Sequence, residues 1–112
     1  MKKKIINNYI KKYTYRVEWS EDDDLFIARA LELQTILAHG KTPAEALKEL
    51  QKPLALALEM MLEDNEELPE PFALQKFKGK FLIRTSPERH KELTVKASES
   101  GISVNQYILN RL

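Results

Sequence analysis

The chain has 112 residues, 43% hydrophobic and 31% charged, which fits one globular domain or two small modules. It has no cysteine, which excludes a disulfide frame and thiolate chemistry and fits a reducing cytoplasm. The net charge of +1 is unevenly placed: residues 1–12 hold five lysines and no acid, residues 13–75 five basic and fourteen acidic side chains, and residues 76–112 eight basic and three acidic. A basic end attracts polyanions, and an acidic centre attracts a basic partner.

Residues 1–12 show little periodicity and read as a basic N-terminal arm, either a frayed tail or a segment that touches phosphate or a partner. The start has the basic end of a signal peptide without its apolar stretch, so export is not expected. The longest apolar run, Leu54 to Leu62, is interrupted by Glu59 and too short to span a bilayer. A cytoplasmic protein with no membrane partner is therefore expected. Residues 13–19 alternate, with Tyr13, Tyr15, Val17 and Trp19 on one face and Thr14, Arg16 and Glu18 on the other. Ser20 to Asp24 is a polar turn, and Leu25 to Ala30 a second strand that makes a hairpin with the first. Gln34 to His39 is a third strand, ended by Gly40.

Three strands with one apolar face need a cover. Thr42-Pro43-Ala44-Glu45 has the spacing of a capping box with Pro at the first helical position. Ala46, Leu47, Leu50, Leu54, Ala57, Leu58 and Met61 then fall at helical spacing. Pro53 lies inside this pattern and predicts a kink or a division of the helix. Glu63 to Pro71 is an acidic connection punctuated by prolines. Residues 72–78 read as a linker, or as a fourth strand over Phe72 to Phe77.

Residues 80–85 alternate again, with Lys80, Leu82 and Arg84 on one face and Phe81 and Ile83 on the other, the period of a strand. Ser86-Pro87-Glu88 opens a helix, with Ser as N-cap and Pro at the first position. Gly101 closes it in the left-handed conformation that glycine adopts at least cost. Ser103-Val104-Asn105-Gln106 has the spacing of a second capping box and opens a helix of about ten residues, short of the usual length. Strand, helix and helix in about 33 residues cannot bury a core alone. The simplest partner for the strand is the same strand of a second copy.

The order strand, Ser86-Pro87-Glu88, helix, Gly101, Ser103, Asn105, helix resembles the ribbon-helix-helix fold of Arc/MetJ-type repressors. Gly79-Lys80-Phe81-Leu82-Ile83-Arg84, with His90 and the run Gly101 to Tyr107, is closer to the C-terminal part of HicB-type antitoxins. The segments Phe26 to Glu32 and Ala38 to Leu47 resemble the N-terminal part of the same family. The two motifs stand in the family's order and together cover residues 13–112. The resemblance implies an α+β fold: a small three- or four-stranded sheet with one covering helix (partial ribonuclease-H-like) at 13–71, then a ribbon-helix-helix dimerisation module at 79–112.

It also implies a function. In a homodimer or higher oligomer, two copies of residues 80–85 would form an antiparallel ribbon that enters the major groove of operator DNA. Lys80 and Arg84 would donate to guanine or phosphate, and Leu82 would make apolar contact, most plausibly with a thymine methyl. Ser103, Val104 and Asn105 would offer backbone N–H groups to a phosphate. Phe81, Ile83, Leu93, Ala97, Val104, Ile108 and Leu112 are the expected dimer core, which Tyr107 would join. In this family the sheet module binds and blocks a small basic ribonuclease toxin, HicA-like. The acidic centre agrees in sign, and Asp22, Asp23, Asp24 and Glu32 are the candidate contacts. The alternative on the same residues is an orphan repressor without a toxin partner.

Enzyme chemistry is not expected. Three adjacent aspartates in a turn point in different directions, whereas a two-metal nuclease projects carboxylates from rigid elements. No serine sits in a glycine-flanked elbow, no Gly-rich phosphate loop is present, and the chain has only two histidines, His39 and His90. Both are read as packing, capping or hydrogen-bonding residues. No cofactor and no metal are implied.

Overall fold

The computed structural model describes all of residues 1–112. It divides into two compact units, residues 1–76 and residues 77–112.

The first unit is a three-stranded antiparallel sheet in the order β1-β2-β3, with β1 at Tyr15–Ser20, β2 at Leu25–Ala30 and β3 at Leu33–Gly40. Tyr15 pairs with Ala30, Val17 with Ala28 and Trp19 with Phe26; Ala28 pairs in turn with Ala38, and Phe26 with Gly40. Paired residues share a face, so these residues make one apolar surface. The opposite face carries Arg16, Glu18, Ile27, Arg29, Leu37 and His39. A register shift at Arg29/Ala30 lets the two residues Leu31 and Glu32 close the β2–β3 turn.

Helix α2, Pro43–Glu63, covers the apolar face. Its N-cap Thr42 accepts a hydrogen bond from the Glu45 N–H at 3.1 Å. Ala46, Leu50, Leu54 and Leu58 are fully buried. The helix runs through Pro53 without dividing. Proline inside a helix costs about 3 kcal/mol, whereas each buried leucine contributes roughly 1.5–3 kcal/mol. Three leucines straddling Pro53 on the buried face outweigh the lost hydrogen bond.

Residues 1–12 are not a frayed arm. Lys2–Ile10 form helix α1, which packs against α2 and buries Ile6 and Ile10 in the core; Tyr13 follows into it. Ile6, Ile10 and Tyr13 stand at i, i+4 and i+7, a helical stripe hidden among lysines and asparagines. The fourth-strand reading of residues 72–77 is also corrected. Phe72–Leu74 form a single 3-10 turn, and the sheet keeps three strands. Pro71 is fully buried, and the Tyr13 hydroxyl donates to the Pro69 carbonyl at 2.7 Å, so this stretch is pinned to the core rather than paired along an edge. Burial pushes the Tyr13 hydroxyl up to about 12.

In the second unit α3 spans Pro87–Glu99 and α4 Val104–Leu109. The α3 cap is Ser86, which accepts from the Arg89 N–H at 3.1 Å. Gly101, at φ 71°, ends α3 in a Schellman turn: the Ile102 N–H donates to the Ala97 carbonyl and the Gly101 N–H to that of Ser98. Ser103 caps α4 through the Gln106 N–H at 3.1 Å. The reciprocal half of the capping box does not form, because the Gln106 amide donates to Asn110 at 2.7 Å. α4 has six residues, shorter than expected, and closes in a tight turn with the Arg111 N–H on the Ile108 carbonyl. Residues 80–85 form no strand ladder within the chain, which supplies no neighbouring strand for them.

Candidate functional site

In the second unit only Ala97 and Tyr107 are buried. The Arg111 guanidinium lies 3.6 Å from the centre of the Tyr107 ring. Tyr107 is therefore part of this chain's own α3–α4 contact. Phe81 is 74% exposed, Leu82 82% and Leu112 82%; Ile83 is exposed as well. The residues that surround these side chains converge. An open depression of about 910 Å³ is lined by Phe81, Ile83, Leu93, Val104, Ile108 and Leu112, six of the seven expected dimer-core positions. The seventh, Ala97, is already buried. Lys80, Leu82 and Arg84 border the same depression, and all three are exposed. His90 also lines it and is exposed; the cap of α3 is Ser86, not His90. Of the α4 start, Ser103 and Asn105 are exposed while Val104 is half-buried.

The charge on this unit is one-sided. Glu92 and Lys96 form an i,i+4 ion pair at 2.9 Å on α3. A hydrogen bond from Lys96 holds the Glu92 carboxyl below its ordinary value. Lys80 and Arg84 make no ion pair.

In the first unit the four acidic candidates are not brought together. Asp22, Asp23 and Asp24 occupy the β1–β2 turn and are all exposed, with Asp24 in the left-handed conformation at φ 54°. The Ser20 hydroxyl donates to Asp23 at 3.0 Å, and His39 on β3 lies 3.3 Å from the same Asp23 oxygen. His39 is thus a hydrogen-bonding residue that ties the turn to the sheet. Glu32 lies at the other end of β2, in the β2–β3 turn, a strand's length away, roughly 15–20 Å. Its carboxylate accepts from the Thr14 N–H and hydroxyl and from the Phe72 N–H at 2.9 Å. Burial pushes this carboxyl up, but those donors stabilise the ionised form and leave it below its ordinary value. Glu32 is a clip that joins the start of β1, the β2–β3 turn and the 3-10 turn.

No group of three or more His, Cys, Asp or Glu side chains is placed to hold a metal ion. No helix is long and apolar enough to cross a membrane. Two features beside the aspartates are not visible in the sequence pattern. Trp19, 46% exposed, meets Phe26 edge-on at 5.2 Å and donates its indole N–H to Glu21 at 2.6 Å. Its alternation with Val17 puts it on the core face; only its position at the end of β1 exposes it. Gly40 is the other: a Cβ there would stand 2.2 Å from the Ala46 nitrogen, so β3 and the first turn of α2 meet only because position 40 has no side chain.

Compared with known proteins, the chain matches the HicB family model over residues 62–112. The match takes in the end of α2, the acidic connection and the whole second unit, a little under half of the chain. No curated protein and no solved structure matches the chain.

Proposed function

We propose that this protein is a HicB-type antitoxin that neutralises a HicA-like ribonuclease by direct binding and represses its own operon through a ribbon-helix-helix dimer. The observation that carries this reading is the unfilled apolar depression of the second unit. Its lining includes six of the seven residues that the ribbon-helix-helix resemblance assigns to the dimer core. A unit of 36 residues with two buried side chains, no cysteine and no metal cluster needs another chain to complete its core. A second copy supplies the missing strand, and the two segments 80–85 pair as an antiparallel ribbon.

The ribbon carries Lys80, Leu82 and Arg84 outward into the major groove, where Arg84 reads guanine and Lys80 meets guanine or phosphate. Backbone N–H groups at Ser103 to Asn105 add a phosphate contact, limited by the shortness of α4. The first unit is the toxin-binding sheet module, of partial ribonuclease-H-like type. Its acidic excess complements a basic ribonuclease, with Asp22, Asp23 and Asp24 as the contacts that the β1–β2 turn presents. Glu32 serves that module as its clip.

The test is a mobility shift over a salt series with the DNA upstream of the gene, comparing wild type with Arg84→Ala. The variant is expected to lose roughly 1–3 kcal/mol of affinity for the specific duplex and little for a scrambled one. Equal affinity of the two proteins for the specific duplex refutes the ribbon assignment.

A further inference from the structure

We propose that the exposed face of α1 is a second contact for duplex DNA, one that grips the phosphate backbone without reading sequence. This deepens the DNA-binding reading of the chain and rests on it. The face carries Lys3, Lys4, Asn7, Asn8 and Lys11, all exposed, which line one shallow concavity together with Met1 and Ile5. Lys4, Asn8 and Lys11 follow one another at i, i+4 and i+7, directly away from the buried stripe of Ile6 and Ile10.

Three properties of this face fit phosphate. It is uncompensated: none of the five lysines in residues 1–12 lies within ion-pair distance of a carboxylate, although the rest of the unit is strongly acidic. Like charges held together repel one another, and an anion relieves that repulsion. Its donors suit the ligand, because Lys ammonium and Asn amide groups both donate to phosphate oxygens. Its spacing suits the duplex as well. Lys4 and Lys11 stand about 10 Å apart along the helix at 1.5 Å per residue. That is about three base-pair steps of one strand at 3.4 Å each, so the lysines reach different phosphates.

A lipid surface fits less well. An interfacial helix inserts a broad apolar face into the headgroup region; Ile6 and Ile10 are buried in the core, which leaves only Met1 and Ile5 as exposed large apolar side chains at the start of α1.

The test uses the full chain with Lys3→Gln/Lys4→Gln/Lys11→Gln, and with Lys→Arg at the same three positions. Glutamine keeps helix propensity close to that of lysine, and circular dichroism with a thermal melt checks the fold. Binding is followed by fluorescence anisotropy across a salt series on two duplexes of equal length, the upstream sequence and a scrambled one. The glutamine variant is expected to show a salt slope shallower by about 2–3 on both duplexes, because each phosphate no longer neutralised removes about 0.9 from the slope. The ratio of the two affinities should stay at the wild-type value, and the arginine variant should keep the wild-type slope. An unchanged slope in the folded glutamine variant overturns the proposal. So does loss of binding to phosphatidylserine vesicles with the DNA slope intact. If the triple variant melts early, Lys4→Gln/Lys11→Gln takes its place, with an expected slope change of about 2. Arg84→Ala in the same assay separates the two claims. A retained affinity ratio in that variant refutes the ribbon, whereas the slope of the α1 variant decides this contact by itself.

Discussion

The two units of this chain solve the same problem in different ways. The first unit surrounds Leu50, Leu54 and Leu58 with Ile6, Ile10, Tyr13 and the small residues Ala28, Ala30 and Ala38 of the sheet. The three leucines, the two isoleucines and Tyr13 lie inside, and alanines on the sheet let α2 sit close. The second unit is of similar design at the level of caps and turns, yet its large apolar side chains lie outside. Well-formed helix ends do not make a core: capping contributes about 1 kcal/mol per helix, and a half-built core forfeits several buried side chains at roughly 1.5–3 kcal/mol each. The first unit encloses its core, whereas the second leaves most of its large apolar side chains exposed.

Five substitutions break or sharpen that contrast. Leu54→Ala, at a fully buried site, is expected to cost roughly 2–5 kcal/mol in urea unfolding. Leu82→Ala, on the exposed segment, should stay within about 0.5 kcal/mol. Similar values for the two would erase the distinction between the units. Phe81→Ala should leave the first unit's melting unchanged and weaken self-association by about 3 kcal/mol, seen in sedimentation equilibrium. A self-association constant equal to that of wild type would mean that the apolar depression is not where two copies meet.

Gly40→Ala follows. Its methyl group would meet backbone at Ala46, which cannot swing aside as a flexible side chain does. A loss of about 1–3 kcal/mol or more is expected in thermal unfolding of the first unit alone, and a neutral outcome would mean that β3 and α2 can separate freely. A pH-dependent effect belongs to Glu32. Its carboxyl is lowered in the folded chain from an ordinary value of 4.5. Its contribution is therefore fully present above about pH 4.5 and is lost as the pH falls through the lowered folded value. Glu32→Gln should flatten that acid limb in a pH series of first-unit melts. An unchanged acid limb would show that the clip's donors do not discriminate the ionised form.

Much of this organisation is legible in the chain itself. The alternation at residues 13–19, the hairpin turn at Ser20 to Asp24, the Thr42-Pro43 helix start, Ser86-Pro87 and Gly101 each announce a local geometry through spacing or backbone chemistry. All depend on neighbours within a few residues, which is why they can be read. The α1 helix escapes such a reading because its buried stripe is only Ile6 and Ile10, set among the lysines and asparagines of residues 1–12. Pro53 misleads in the other direction, since a local cost is outweighed by leucines whose burial depends on the sheet beneath.

The family resemblance carried by the motifs extends over residues 13–112, and the family model matches 62–112. The sequence by itself determined the three strands of the sheet, the caps, the division of charge and the identity of the apolar residues that line the depression of the second unit. Only the tertiary structure decided where long-range partners meet. It placed Glu32 against Thr14 and against Phe72, which lies forty residues further along the chain. It separated Glu32 from the Asp22–Asp24 turn, brought Gly40 onto Ala46, and left Phe81, Ile83 and Leu112 uncovered. The physical reason is the same in each case. Secondary structure answers to the nearest few residues, whereas burial and charge pairing answer to whatever the folded chain brings alongside.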